Sequence, residues 1–255
     1  MITQKQVQEL AKQHQRDQYS IYREYLQSAA LTQLFSLENS NQLIFKGGTA
    51  LRLIYQSPRF SEDLDFNSNT SLSKTKLLIK QLSKQLQLQI PNLYFKFIPS
   101  VAGLTAKLYL PLKISSQDLT VKLDFSFREK LHSFNKTTLQ TSFPIQSFSL
   151  IQVMSKEEIL AEKIGAILSR DQVRDIYDLW WLLSSDTFWD DNLISSKLTN
   201  LDLKVELSSL IEKINSLSTD NFSKRLSKFL PLNDRKMLAH IPQLLTQLIK
   251  RNIKQ

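Results

Sequence analysis

The chain has 255 residues, 42% of them hydrophobic, with 33 Lys and Arg against 24 Asp and Glu, a formal charge of +9. That length and apolar content support one large or two modest domains. The absence of cysteine excludes disulfides and thiolate metal sites, and three histidines far apart in sequence, His14, His132 and His240, argue against zinc. No apolar run reaches the ~18–20 residues of a membrane span and the N-terminus lacks a signal-like apolar segment, so a cytoplasmic protein without membrane contact is expected. The basic excess leans toward a polyanionic partner such as RNA.

Apolar residues recur at helical spacing over Thr3–His14 and Asp17–Phe35, which predicts two opening helices. Leu43, Ile44 and Phe45 then read as a short buried strand. Gly47 and Gly48 after it allow a close approach of backbone to a ligand, and Thr49 opens a helix packed inward by Ala50, Leu51, Leu53 and Ile54. The free N–H groups at its start suit a phosphate, to which Thr49 adds a hydroxyl. Pro58 stops this helix. In the segment Ser61-Glu62-Asp63-Leu64-Asp65-Phe66, the alternation puts Asp63 and Asp65 on one face of a strand. Two adjacent carboxylates call for a cation between them, and a hard one such as Mg²⁺ fits best. A phosphate cradle followed by a carboxylate pair suits phosphoryl or nucleotidyl transfer, although no Gly-Lys-Ser/Thr makes it a P-loop.

A helix over Leu72–Leu86 is predicted next, then strands over Leu93–Ile98, Leu104–Leu110 and Leu119–Phe127. Asp124 sits between apolar residues of the last strand, a position that by itself reads as an outward-facing aspartate. Leu131–Ser147 shows no sustained period and is taken as a connection, with a strand or two near Ile145–Val153. A boundary near Met154 divides residues 1–153 from 154–255, and beyond it the pattern is helical, opened by a Ser155/Glu158 capping box.

Leu160, Ile164 and Ile167 form the buried stripe of that helix, and Lys163 lies on the same side. Such a lysine either snorkels to water or holds a cation over an active site. In the following segment Asp171, Asp175 and Asp178 recur at i, i+4 and i+7 beside Arg174, with Trp181 and Leu182 covering Asp178. Arg174 and Asp178 could form an intrahelical pair. Helical stretches follow over Leu203–Leu217, Asn221–Phe229 and Asp234–Ile249. From Leu203 on, ten Lys or Arg stand against four Asp or Glu, a basic tail suited either to solvent or to RNA phosphates.

Gly47-Gly48-Thr49-Ala50-Leu51 followed by Arg59-x-Ser61-x-Asp63-Leu64-Asp65-Phe66 resembles the AbiEii/AbiGii group of nucleotidyltransferase toxins, which includes the MenT toxins, within the DNA polymerase β-like superfamily. The resemblance covers roughly residues 40–185. It implies an α/β (α+β) nucleotidyltransferase core with a mixed sheet flanked by helices, a mainly helical C-terminal domain, and an active site in the cleft between them. It further implies an enzyme that transfers a nucleotide from an NTP to RNA, with tRNA 3′ ends the target class of some relatives, and a cognate antitoxin as partner.

On the matched positions, Asp63, Asp65 and Asp124 would hold Mg²⁺, with Mn²⁺ the alternative. Gly47, Gly48, Thr49, Arg59, Ser61 and Lys163 would bind the nucleotide. Lys163 and Asp178 match a lysine on one helix and an aspartate on the next that belong to the family's active site, Asp178 serving either as general base or to orient Lys163. Rival readings are the same chemistry on a protein or on a small molecule such as an antibiotic, and a non-catalytic member that binds nucleic acid or a partner protein. The last would show a broken metal set, whereas Asp63, Asp65, Lys163 and Asp178 are all present.

Overall fold

A computed structural model describes residues 1–100, 103–112, 114–127, 133–203 and 207–252. His132, Leu131 at the start of the expected connection, and residues 204–206 of the expected 203–217 helix lie outside the described residues. The chain divides into two compact units, Met1–Met154 and Ser155–Gln255.

The first unit opens with α1 (Gln4–Gln13) and α2 (Gln18–Phe35), begun by the side chains of Thr3 and Asp17 accepting from backbone N–H groups of the first turn. It continues through β1 (Leu43–Lys46), α3 (Gly47–Leu53), β2 (Asp63–Ser68), α4 (Leu72–Gln89), β3 (Tyr94–Ile98), β4 (Leu104–Leu110), β5 (Leu119–Ser126), β6 (Phe134–Thr137) and β7 (Ile151–Met154). Among the described residues the strands form one mixed sheet in the order β3-β4-β5-β2-β1-β7-β6. β1 pairs antiparallel with β2 and parallel with β7, and β2 pairs parallel with β5.

Strict alternation along β5 gives the sheet two different faces, Val121, Leu123 and Phe125 buried and Lys122 and Asp124 half-open. The buried face carries a run of aromatic rings: Phe66 stacks on Phe125 at 4.9 Å between centroids and meets Phe45 at 5.5 Å. Helices α2 and α4 pack against the sheet and against each other. The half-open face carries the polar residues of β2, β4 and β5.

β6 falls where the sequence reads as a connection. Three of its four residues are exposed, Phe134 among them, so no alternation marks it. Pairing with β7 at the sheet edge makes it a strand.

The second unit comprises α5 (Lys156–Ser169), α6 (Val173–Ser184), α7 (Asp191–Thr199), α8 (Leu207–Asn215), α9 (Thr219–Ser227) and α10 (Ile241–Asn252). Ser155 caps α5 by accepting from the Glu158 N–H. α5 packs on α6, α7 and α8, while α10 packs on α6 and α8. α7, absent from the sequence expectations, is tied to α5 by a buried ion pair, Lys197 Nζ to Glu158 Oε1 at 2.8 Å. No helix among the described residues is long and apolar enough to cross a membrane.

Candidate active site

Strand register decides what meets what on the half-open face. Asp65 pairs with Lys46 of β1 on one side and with Asp124 of β5 on the other, and Asp63 pairs with Lys122. Directly paired residues project to the same side of a sheet. Two segments distant in sequence are thus brought together, and Asp63, Asp65 and Asp124 share one face.

Lys122 stands among these carboxylates. Its ammonium lies 2.6 Å from Asp124 Oδ2 and 4.0 Å from Asp63 Oδ2. Partial burial opposes its charge, yet the bond to Asp124 and the fields of Asp63, Asp124 and Asp65 hold its pKa above the ordinary lysine value. The Thr105 hydroxyl donates to Asp124 Oδ1 at 2.6 Å, so protein groups meet both Asp124 oxygens.

Among the described residues no three His, Asp or Glu side chains converge closely enough to hold a metal ion. The donor chemistry of Asp63 and Asp65 nevertheless fits a hard divalent cation: two carboxylates on one strand face, Asp63 39% exposed. Asp124 shares their face but spends its oxygens on Thr105 and Lys122.

The glycine turn lies against this face. Gly47 has φ +77°, and a Cβ there would stand 2.5 Å from Asp65 Oδ2. A Cβ at Gly48 would collide with the Arg59 guanidinium and come within 3.1 Å of Ser61 Oγ. Gly47, Gly48, Arg59, Ser61 and Asp65 are therefore gathered at the start of α3. Arg59 is only 2% exposed, and its Nη1 donates to the Phe60 carbonyl at 3.0 Å. The Thr49 side chain is buried and its hydroxyl donates to the Asp63 carbonyl, so it fastens β2 to α3.

The second unit holds its own charged cluster. Lys163 Nζ lies 2.8 Å from Asp175 Oδ1 and 2.7 Å from Asp178 Oδ2, and Arg170 Nε lies 2.9 Å from Asp175 Oδ2. Lys163 is 8% exposed, Asp175 2% and Asp178 0%. Burial by itself would raise the Asp175 carboxyl, but the Lys163 charge and the Arg170 bonds lower its pKa to about 2.

Asp171 leaves the expected helical stripe because α6 begins only at Val173. It pairs with Arg225 at 3.2 Å instead. Arg174 places its guanidinium over the Phe229 ring at 5.1 Å.

Sequence reasoning missed three participants. Lys122 looks like any polar residue of an alternating strand, and Arg170 falls in the break between two helices. Lys46 ends a strand, with only its position beside Gly47 to mark it.

Residues 29–249 match the profile of a family described as the nucleotidyl transferase AbiEii toxin of type IV toxin–antitoxin systems. Among solved structures, MenT4, nucleotidyltransferase toxin Rv2826c from Mycobacterium tuberculosis, is similar over 99% of this chain and 99% of its own, at 15% identity and TM-score 0.62. JHP933 from Helicobacter pylori is similar over 94% of this chain and 97% of its own, at 20% identity and TM-score 0.59. At such identities the likeness is one of fold. A search of curated proteins finds no match.

Proposed function

Since this chain belongs to the AbiEii nucleotidyltransferase toxin family of type IV toxin–antitoxin systems and is thus an NTP-using nucleotidyltransferase, we propose that it transfers an NMP to an RNA acceptor, a tRNA 3′ end being the favoured class, and is countered by a cognate antitoxin. The observation that carries the site is the pairing of Asp65 with Lys46 and Asp124, beside Asp63 and against the Gly47–Gly48 turn.

In this reading the triphosphate lies along the turn, next to Arg59 and Ser61. Asp63 and Asp65 would hold Mg²⁺, or Mn²⁺ in its place, which would neutralise triphosphate charge. The resemblance assigns Asp124 as the third carboxylate, a role that requires its Oδ2 to give up Lys122. An acceptor hydroxyl oxygen attacks the α-phosphorus in line, the bond from that phosphorus to the bridging oxygen breaks, and pyrophosphate leaves with the electron pair. The hydroxyl proton passes to a base or to water.

Lys163 and Asp178 enter the reaction on the resemblance alone, Lys163 as a cation for NTP phosphates. Full burial of Asp178 and its ion pair with Lys163 favour a positioning role over that of a general base. The excess of positive charge favours RNA over a neutral small molecule.

The test is transfer of label from each of the four α-³²P NTPs to total cellular RNA and protein with Mg²⁺, in wild type and in Asp65→Ala. Labelled RNA that disappears in the variant supports the reading. Label in protein alone overturns the acceptor, and no label in either overturns the RNA reading. Lys163→Ala belongs in the set only beside a melting curve. Removing that ammonium leaves two buried carboxylates without it and costs on the order of 3–5 kcal/mol in stability.

A further inference from the structure

The half-open face extends past the carboxylates to β4 and the edge strand β3. Register continues the Asp63–Lys122 row through Lys107 to Lys96, and one row further along the strands Tyr94 pairs with Tyr109. The two tyrosine rings are stacked, 4.8 Å between centroids and 3° between planes. That separation equals the ordinary spacing between strands, so the rings stand upright on the sheet and stack along its hydrogen-bonding direction. β3 ends the sheet, and Tyr94 therefore ends the stack.

Tyr94 is fixed in this posture by its hydroxyl, which donates to Asp118 Oδ2 at 2.6 Å. The Lys96 ammonium lies 5.5 Å from the centroid of Tyr94 and 5.7 Å from that of Tyr109. Lys96 is exposed, and Tyr94, Lys107 and Tyr109 are half-buried. Among the described residues neither Lys96 nor Lys107 has a carboxylate partner. Nothing in the transfer chemistry uses this cluster, and the two rings stand only half-buried, outside the buried core.

We infer that this platform binds the single-stranded end of the acceptor RNA, with a base stacking on Tyr94 and backbone phosphates running along Lys96 and Lys107. Base–aromatic stacking beside a positive track is how single strands are held without regard to sequence, since every base has a π-face. The inference rests on the proposal that RNA is the acceptor. Tyr94 is three strands and four residues removed from Asp65, on the order of 20 Å at ordinary strand dimensions. The stacked base is therefore a few nucleotides upstream of the reacting end.

The test is binding, without NTP, of a fluorescein-labelled eight-nucleotide single-stranded RNA and of a blunt RNA duplex of the same length. Tyr94→Ala is expected to weaken the single strand about tenfold, while Tyr94→Phe stays within about twofold because the ring remains. Binding of the duplex should be unchanged in both. Lys96→Gln and Lys107→Gln should each flatten the plot of log K against log salt by about 0.7.

Photocrosslinking of 5-iodouridine RNA to the wild-type protein locates the contact without any substitution and so stands even if a variant unfolds. Crosslinks in the peptides carrying Tyr94 or Tyr109 support the inference. Crosslinks only elsewhere overturn it, as does wild-type affinity in a folded Tyr94→Ala or an equal loss on the duplex. Tyr94-dependent capture of single strands without any label transfer to RNA would sink the acceptor reading and keep the platform. Transfer to RNA that ignores Tyr94→Ala would do the reverse.

Discussion

Lys122 brings a positive charge to Asp124 and Asp63, and its field reaches Asp65. Its replacement removes one positive charge from beside Asp124 and Asp63, which a divalent cation at the same face can restore. Lys122→Met is therefore expected to melt lower than wild type without divalent cations, and to gain more from millimolar Mg²⁺, by about 2–4 °C. Paired thermal melts check this without any activity measurement, and an equal Mg²⁺ response in the two proteins would count against it. Asp63 and Asp65 were legible in the sequence because a strand repeats every two residues and two carboxylates in that frame share a face. Lys122 was not, because one more polar residue in an alternating strand has the pattern of a solvated face. Only register, which depends on a partner strand, shows what it touches. The Thr49 contact was hidden for a related reason: a hydroxyl at a helix start suits a ligand or a neighbouring strand equally well, and here it donates to the Asp63 carbonyl.

At the scale of elements, β1 passes into α3 within one residue, and that residue adopts φ +77°. Gly47→Ala would put a Cβ in a left-handed conformation costing about 1–2 kcal/mol and push it against Asp65 Oδ2. The expected result is a lower urea midpoint together with a loss of NMP transfer larger than the stability change explains. Unchanged transfer would separate the turn from the site.

The contact of α5 with α6 carries a pH signature. Asp175 has a folded pKa of about 2 against an ordinary 3.8. Its ionised form is thus favoured by folding, and the stabilisation, on the order of 2 kcal/mol, is complete above the unfolded value and is lost as pH falls from about 4 through about 2. Urea midpoints across that window should fall more steeply in wild type than in Asp175→Asn. Helices with capping residues and a clear apolar stripe, α1 and α4 among them, were readable from spacing. α7 was not, because a buried Lys197 occupies a place on its inner face that periodicity expects to be apolar.

For the whole molecule, the charge of +9 sets a condition on any RNA partner. Affinity for RNA should fall linearly in log K against log salt, because each phosphate contact releases counterions. A salt-independent affinity would speak for a different acceptor. Composition made this expectation possible, but only the sheet gives the charge a location, since Lys96, Lys107 and Lys122 lie on three separate strands and meet in one row. The parallel pairing of β2 with β5 has a further consequence in time. Asp65 and Asp124 face each other across a crossover of about sixty residues, and contacts so distant in sequence form late. A nascent chain that has emerged only through β2 carries the glycine turn and the first two aspartates, with no third carboxylate and no Lys122 among them. On the proposed reading, the carboxylate face is assembled only once β5 has been made and has paired with β2.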